Sequence, residues 1–192
     1  MEFFEHFACY SMLPVPLIKV RDQILDTGAV SRIVRVPVKV KDYIIYGGYN
    51  SYRDLTSYAS NSGSSIVAQI GYPDDLDEGW RRMVSVKEML HALDPIQATA
   101  STKQKVDQLM GDLIDTETKE AMGLPAHFDN NGMFHALCVL MPRDVVDELR
   151  PLHKQNPDKF TTAKIASEAR IPETFVKFAL TDEWIKVLDN MV

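Results

Sequence analysis

A change of hydrophobic period part-way along the chain is the feature that most constrains its fold. Val34, Val36, Val38 and Val40 alternate with polar residues or proline, the period expected of a strand with one buried face. From Asp77 onward, apolar residues recur instead at spacings of three and four, which is typical of amphipathic helices. Strands grouped before helices predict an α+β fold, with a small, mainly antiparallel sheet packed against a helical remainder.

The strands are predicted in the first third of the chain. Residues 31–41 contain Pro37, which cannot donate to a ladder, so we expect an edge strand or a bulge there. Further short strands are predicted at residues 43–46 and 65–71, with a polar loop over residues 49–63 between them.

The helices are predicted from apolar stripes and stop signals. One helix follows Asp77 and stops at Asp94-Pro95, and the next begins near residue 101 and ends at Gly123-Leu124-Pro125. The almost entirely apolar stretch 131–141 predicts a buried helix. Shorter helices are expected over residues 143–153, 161–170, 172–180 and 182–190.

The length of 192 residues suits one domain with an appendage, since domains commonly span about 100–200 residues. We expect residues 1–30 to form an N-terminal arm or extension, and residues 31–192 a main domain that ends in a helical bundle at 143–192. The aromatic residues Phe3, Phe4 and Phe7 would pack onto the main body, and a lid over a neighbouring groove is one role for them.

Charge and composition exclude several classes of protein. Acidic residues number 27 and basic residues 21, so the net charge of −6 disfavours wholesale coating of nucleic acid. No apolar run approaches the roughly 20 residues that a membrane span needs. Cys9 and Cys138 are far apart, and the N-terminus is acidic, so we expect a cytoplasmic protein with two incidental thiols.

The stretch Lys87-Glu88-Met89-Leu90-His91 is where the sequence is most informative about chemistry. In the zinc-peptidase signature HExxH, two histidines four residues apart face one metal ion, and the glutamate acts as general base. Here the glutamate and the second histidine are present, and lysine stands in the place of the first histidine.

Together with its flanks, this stretch resembles the ImmA/IrrE family of metallopeptidases, over roughly residues 65–180. The strand at 65–71 followed by Arg81-Arg82 is similar to that family's approach to its HExxH helix. Residues 135–142 match the end of the family's FAxxLLMP segment, with His135 in the phenylalanine place. The tail at 160–180 is similar to the helix pair that follows in the family.

The resemblance implies a zincin-like fold and a regulatory protein that acts on a helix-turn-helix repressor. If the protein is an active zinc endopeptidase, Glu88 is the base, and His91 and Asp129 are metal ligands. Asp129 lies six residues before the matched segment, where the family usually has glutamate.

Lys87 is the residue on which the choice between an inactive protein and an active zinc peptidase depends. A protonated Lys87 has no lone pair to give to zinc, so we expect a degenerate site with little or no hydrolysis, in a protein that binds a partner. The ammonium would then neutralise Glu88 or Asp129 in a buried cluster. A rearranged zinc site using His91, His127, Asp129 and His135 is the active alternative. The plainer interpretation places His127 in a surface loop and His135 in a buried helix.

A helix-turn-helix regulator that binds DNA through residues 160–180 is the remaining alternative. The spacing of Ala166, Ile171 and Val176 is typical of that motif, with Arg170 where glycine usually stands in the turn. Residues 161–192 have a net charge of −1, and a helix that reads DNA needs several cationic donors. Direct nucleic-acid binding is therefore disfavoured.

Overall fold

The computed structural model describes residues 2–39, 47–54, 66–95 and 124–189, with only the backbone described for Glu2 and for residues 124–130. Three strands and eight helices lie within these ranges, and a short 3-10 helix, His91–Leu93, follows the third helix. The elements are α1 (Glu2–Ala8), α2 (Leu17–Asp26), β1 (Arg32–Val38), β2 (Gly48–Arg53), β3 (Ile66–Pro73), α3 (Glu78–Leu90), α4 (Leu124–Leu140), α5 (Arg143–Gln155), α6 (Thr162–Ala169), α7 (Glu173–Ala179) and α8 (Asp182–Asp189).

The three described strands form a mixed sheet in the order β1-β3-β2. β1 runs parallel to β3, with Val34 opposite Gln69, and β2 runs antiparallel to it, with Asn50 opposite the same residue. The α+β class is confirmed, but the expectation of a mainly antiparallel sheet is wrong, because one of the two pairings is parallel. The loop predicted over 49–63 is also wrong at 49–53, which belong to β2. The strand predicted at 43–46 lies outside the described residues.

Helix α3 lies at the centre of the molecule, packed against β3, α2 and α4. It begins where the Asp77 carboxylate accepts a hydrogen bond from the Trp80 backbone N–H at 2.9 Å, which satisfies a donor that the first turn leaves free. Most of its side chains are buried, including three polar ones: Arg82, Ser85 and Glu88. Because burying a polar group without a hydrogen bond costs free energy, these three side chains are expected to have partners in the interior.

The N-terminal segment shares the main core. Phe3, Phe7, Val15, Val20 and Ile24 are buried in the same cluster as residues of α3 and α4. Residue Arg82 adds a polar link, because its Nη2 donates to the carbonyl oxygen of Val15 at 2.5 Å. Burial lowers the pKa of this guanidinium, and the nearby charge of Arg170 adds to the effect. The division of the chain at residue 30 stays a prediction, but residues before it supply part of the core.

The helical half agrees closely with the expectation, and α5, α6, α7 and α8 lie where short helices are predicted. Helix α4 begins earlier than residue 131, at Leu124. Pro125 therefore lies in its first turn, where the N–H groups have no intrahelical partner and proline is tolerated. The helix predicted from residue 101 lies outside the described residues. Within the described part of the chain, every helix is too short or too polar to cross a membrane.

Candidate functional site

The last two turns of α3 contain Lys87 and Glu88, which were compared above with the HExxH signature. The Lys87 ammonium donates to Glu88 Oε1 at 3.0 Å, and the two side chains are only 11% and 3% exposed. The predicted neutralisation of Glu88 by Lys87 is therefore present. Burial makes this pairing necessary, because an isolated carboxylate in the interior would lose its hydration without compensation.

His91 lies one turn further along, where α3 passes into the 3-10 helix. Its Nδ1 donates to the Asp94 carboxylate at 2.6 Å, and its Nε2 lies 3.9 Å from Glu88 Oε2. The Tyr49 ring from β2 packs beside the imidazole, with ring centroids 5.9 Å apart. Burial raises the pKa of the Tyr49 hydroxyl, which therefore stays neutral. Asp94, predicted only as a helix stop, thus fixes the orientation of His91.

Two glycines lie against the ion pair, where a larger residue would displace a neighbouring side chain. A Cβ added to Gly47 would come within 2.5 Å of Val84 Cγ1 and 2.7 Å of Glu88 Oε1, and one added to Gly132 within 2.9 Å of Lys87 Cγ. The backbone just before β2 and the backbone of α4 therefore cover the pair closely. The sequence signal for Gly132 was its position inside an apolar helix, where glycine often marks a close approach.

The other predicted ligands lie on α4. For Asp129 and His127 the structure describes the backbone alone, so the contacts of their side chains lie outside what is described. The expectation that His127 occupies a surface loop is wrong, because the helix already starts at Leu124. His135 is half-buried, and its ring centroid lies 5.3 Å from that of Phe4 in α1.

The described residues do not form a zinc site. In the ranges with described side chains, no group of three His, Cys, Asp or Glu residues is arranged to hold a metal ion. At the motif itself the donor set is also unsuitable, because the ammonium of Lys87 stands in a ligand place and offers no lone pair. Among the side chains that the structure describes at the motif, His91 alone offers a ring nitrogen, and one imidazole does not make a zinc site.

The helix pair of the DNA-binding alternative is present as two short helices, α6 and α7. Arg170 between them has φ 53° and ψ 48°, the left-handed conformation that glycine usually adopts in such a turn. Its guanidinium contacts the Glu78 carboxylate at 3.3 Å. On α7, Glu173 accepts a hydrogen bond from Thr162 Oγ1 at 2.6 Å, which lowers the pKa of the carboxyl and keeps a negative charge at the start of that helix.

The chain matches no protein-family model, no curated protein and no solved structure.

Proposed function

We propose that this protein is a metallopeptidase-like regulator of the ImmA/IrrE type whose zinc site is degenerate. It acts in the cytoplasm by binding a protein partner such as a helix-turn-helix repressor, with little or no hydrolysis. The observation that carries the proposal is the buried contact between Lys87 and Glu88 at 3.0 Å. The sequence resemblance to that family supplies the class of partner.

The chemistry of the pair supports a loss of hydrolysis. A general base in a metallopeptidase takes a proton from a metal-bound water, so its carboxylate must face that water. In this protein Glu88 Oε1 accepts a hydrogen bond from an ammonium instead, and the side chain is almost inaccessible to solvent. The ion pair thus uses the carboxylate that catalysis would need.

Zinc binding by matched variants tests this proposal. We expect the wild-type protein, incubated with zinc and then freed of excess metal, to hold far less than one zinc per chain. Lys87→His restores an imidazole beside His91 and should raise the zinc content, measured by elemental analysis. Lys164→His adds the same side chain to the exposed face of α6 and controls for adventitious binding.

Stoichiometric zinc in the wild-type protein would contradict the proposal and favour the rearranged site of His91, His127, Asp129 and His135. The accompanying assay is cleavage of a mixed peptide library in the presence of zinc. Cleavage by the wild type that disappears in Glu88→Gln would establish an active endopeptidase. We expect neither protein to cleave the library.

A further inference from the structure

An open cleft of about 590 Å³ lies in the C-terminal helical region, where α5 ends and the turn between α7 and α8 passes beside it. Its lining includes Arg150, Pro151, His153 and Lys154 from α5, and Leu180 and Asp182 from the turn and the start of α8. None of its lining residues belongs to α3 or α4. The cleft is therefore separate from the site at Lys87 and Glu88, and an inference about it does not rest on the function proposed there.

Two of the basic side chains are fixed in place. Arg150 Nε donates to the Leu180 carbonyl oxygen at 3.2 Å, and its Nη2 donates to the Asp182 carboxylate, so the guanidinium joins α5 to the start of α8. His153 Nδ1 donates to the Phe160 carbonyl oxygen at 2.6 Å. These contacts fix two of the residues that line the cleft, so these residues lose less conformational entropy when a ligand binds than mobile ones would.

Lys154 is the basic residue of the cleft whose charge can pair with a ligand. It is exposed, and it forms no ion pair with any residue in the described ranges. Across the cleft the acidic group is Asp182, which Arg150 already contacts. The excess of positive charge stands out because the chain as a whole carries a net charge of −6. Cations at the end of α5 also interact favourably with its dipole, but this does not account for a cleft with apolar residues, Pro151 and Leu180, beside them.

We propose that this cleft binds an acidic peptide segment of a partner protein. Lys154 would pair with a carboxylate of the segment, and Pro151 and Leu180 would contact an apolar side chain next to it. The volume lies within the roughly 300–1,000 Å³ typical of ligand sites. A cleft that is partly open to solvent suits a peptide segment, whereas a small molecule is usually enclosed on most of its surface.

Fluorescence anisotropy with a short, labelled peptide of alternating glutamate and leucine tests the proposal at low ionic strength. We expect saturable binding that Lys154→Glu weakens by about 5–10-fold, since the substitution replaces an attraction by a repulsion. Lys164→Glu makes the same change of charge on the exposed face of α6, and should alter the dissociation constant by no more than about twofold. Both lysines are exposed, so both variants should fold as the wild type does.

Four outcomes would overturn the proposal. Absence of saturable binding rejects it outright, and equal weakening by the two variants shows only nonspecific attraction. A peptide of alternating lysine and leucine that binds equally well would reject the role of charge. Displacement of the acidic peptide by millimolar inorganic phosphate would show a site for small anions instead of a peptide site. We expect phosphate to leave the peptide bound.

Discussion

At the scale of single residues, the two cysteines occupy opposite environments. Cys9 is exposed after α1, whereas Cys138 is buried in α4, where burial raises its pKa to about 12. The thiolate is the reactive form, and at pH 8 a group with this pKa is almost entirely protonated. An aromatic disulfide reagent should therefore modify Cys9 rapidly in the native protein and Cys138 only on unfolding. Cys9→Ser should remove the rapid phase, and two rapid thiols would contradict the burial of Cys138.

Arg170 has a backbone conformation that conflicts with its residue type. A side chain in the left-handed region costs about 1–2 kcal/mol, which glycine avoids. The contact with Glu78 offsets little of this, because both side chains are more than half exposed. We expect Arg170→Gly to raise the free energy of unfolding by about 0.5–1 kcal/mol in urea titrations. Arg170→Ala keeps the strain and loses the contact, so it should not stabilise the protein.

At the scale of elements, the packing of α3 against α4 depends on a glycine. An alanine at position 132 would press its Cβ against Lys87 Cγ, so Gly132→Ala should lower the free energy of unfolding by about 1–3 kcal/mol. In a Lys87→Ala background this obstacle is gone. There the same change should be neutral, or stabilise by up to about 1 kcal/mol through helix propensity. An unchanged cost in both backgrounds would show that the two residues do not touch.

The sequence predicts elements well where hydrophobic period alone defines them, as in α3, α5 and α6. It fails for β2, which is polar and almost wholly exposed, because this strand is defined by its pairing with β3 and not by a buried face of its own. The sequence also fails to predict the parallel pairing of β1 with β3. Hydrophobic periodicity predicts where a strand lies in the sequence, but not which strand pairs with it or in which direction.

The candidate site shows the same division. The pairing of Lys87 with Glu88 could be predicted because the motif sets the two residue types side by side and burial demands a partner. The contact of Asp94 with His91 could have been predicted from their spacing, because residues three apart lie on the same face of a helix. The role of Gly47 could not be predicted from the sequence, because its close approach to Glu88 joins segments about forty residues apart.

At the scale of the whole molecule, the N-terminal helices and the later helices share one core, so they should unfold together. Phe7 is 1% exposed within that core, and Phe7→Ala should lower the free energy of unfolding by about 3–5 kcal/mol while the transition stays single. Met12, which is 64% exposed, provides the control: Met12→Ala should change stability by less than about 0.5 kcal/mol. A second, separate transition for the N-terminal segment would instead establish an independent arm.

The close fit of Lys87 against Gly132 restricts how the sequence of this protein can change over evolutionary time. While the lysine remains, position 132 accepts no larger residue without displacing it, and if the lysine is lost first, Glu88 is left as a buried charge without its ammonium. Each of these two single changes is therefore expected to lower the free energy of unfolding. Positions 87, 88 and 132 are therefore expected to change together.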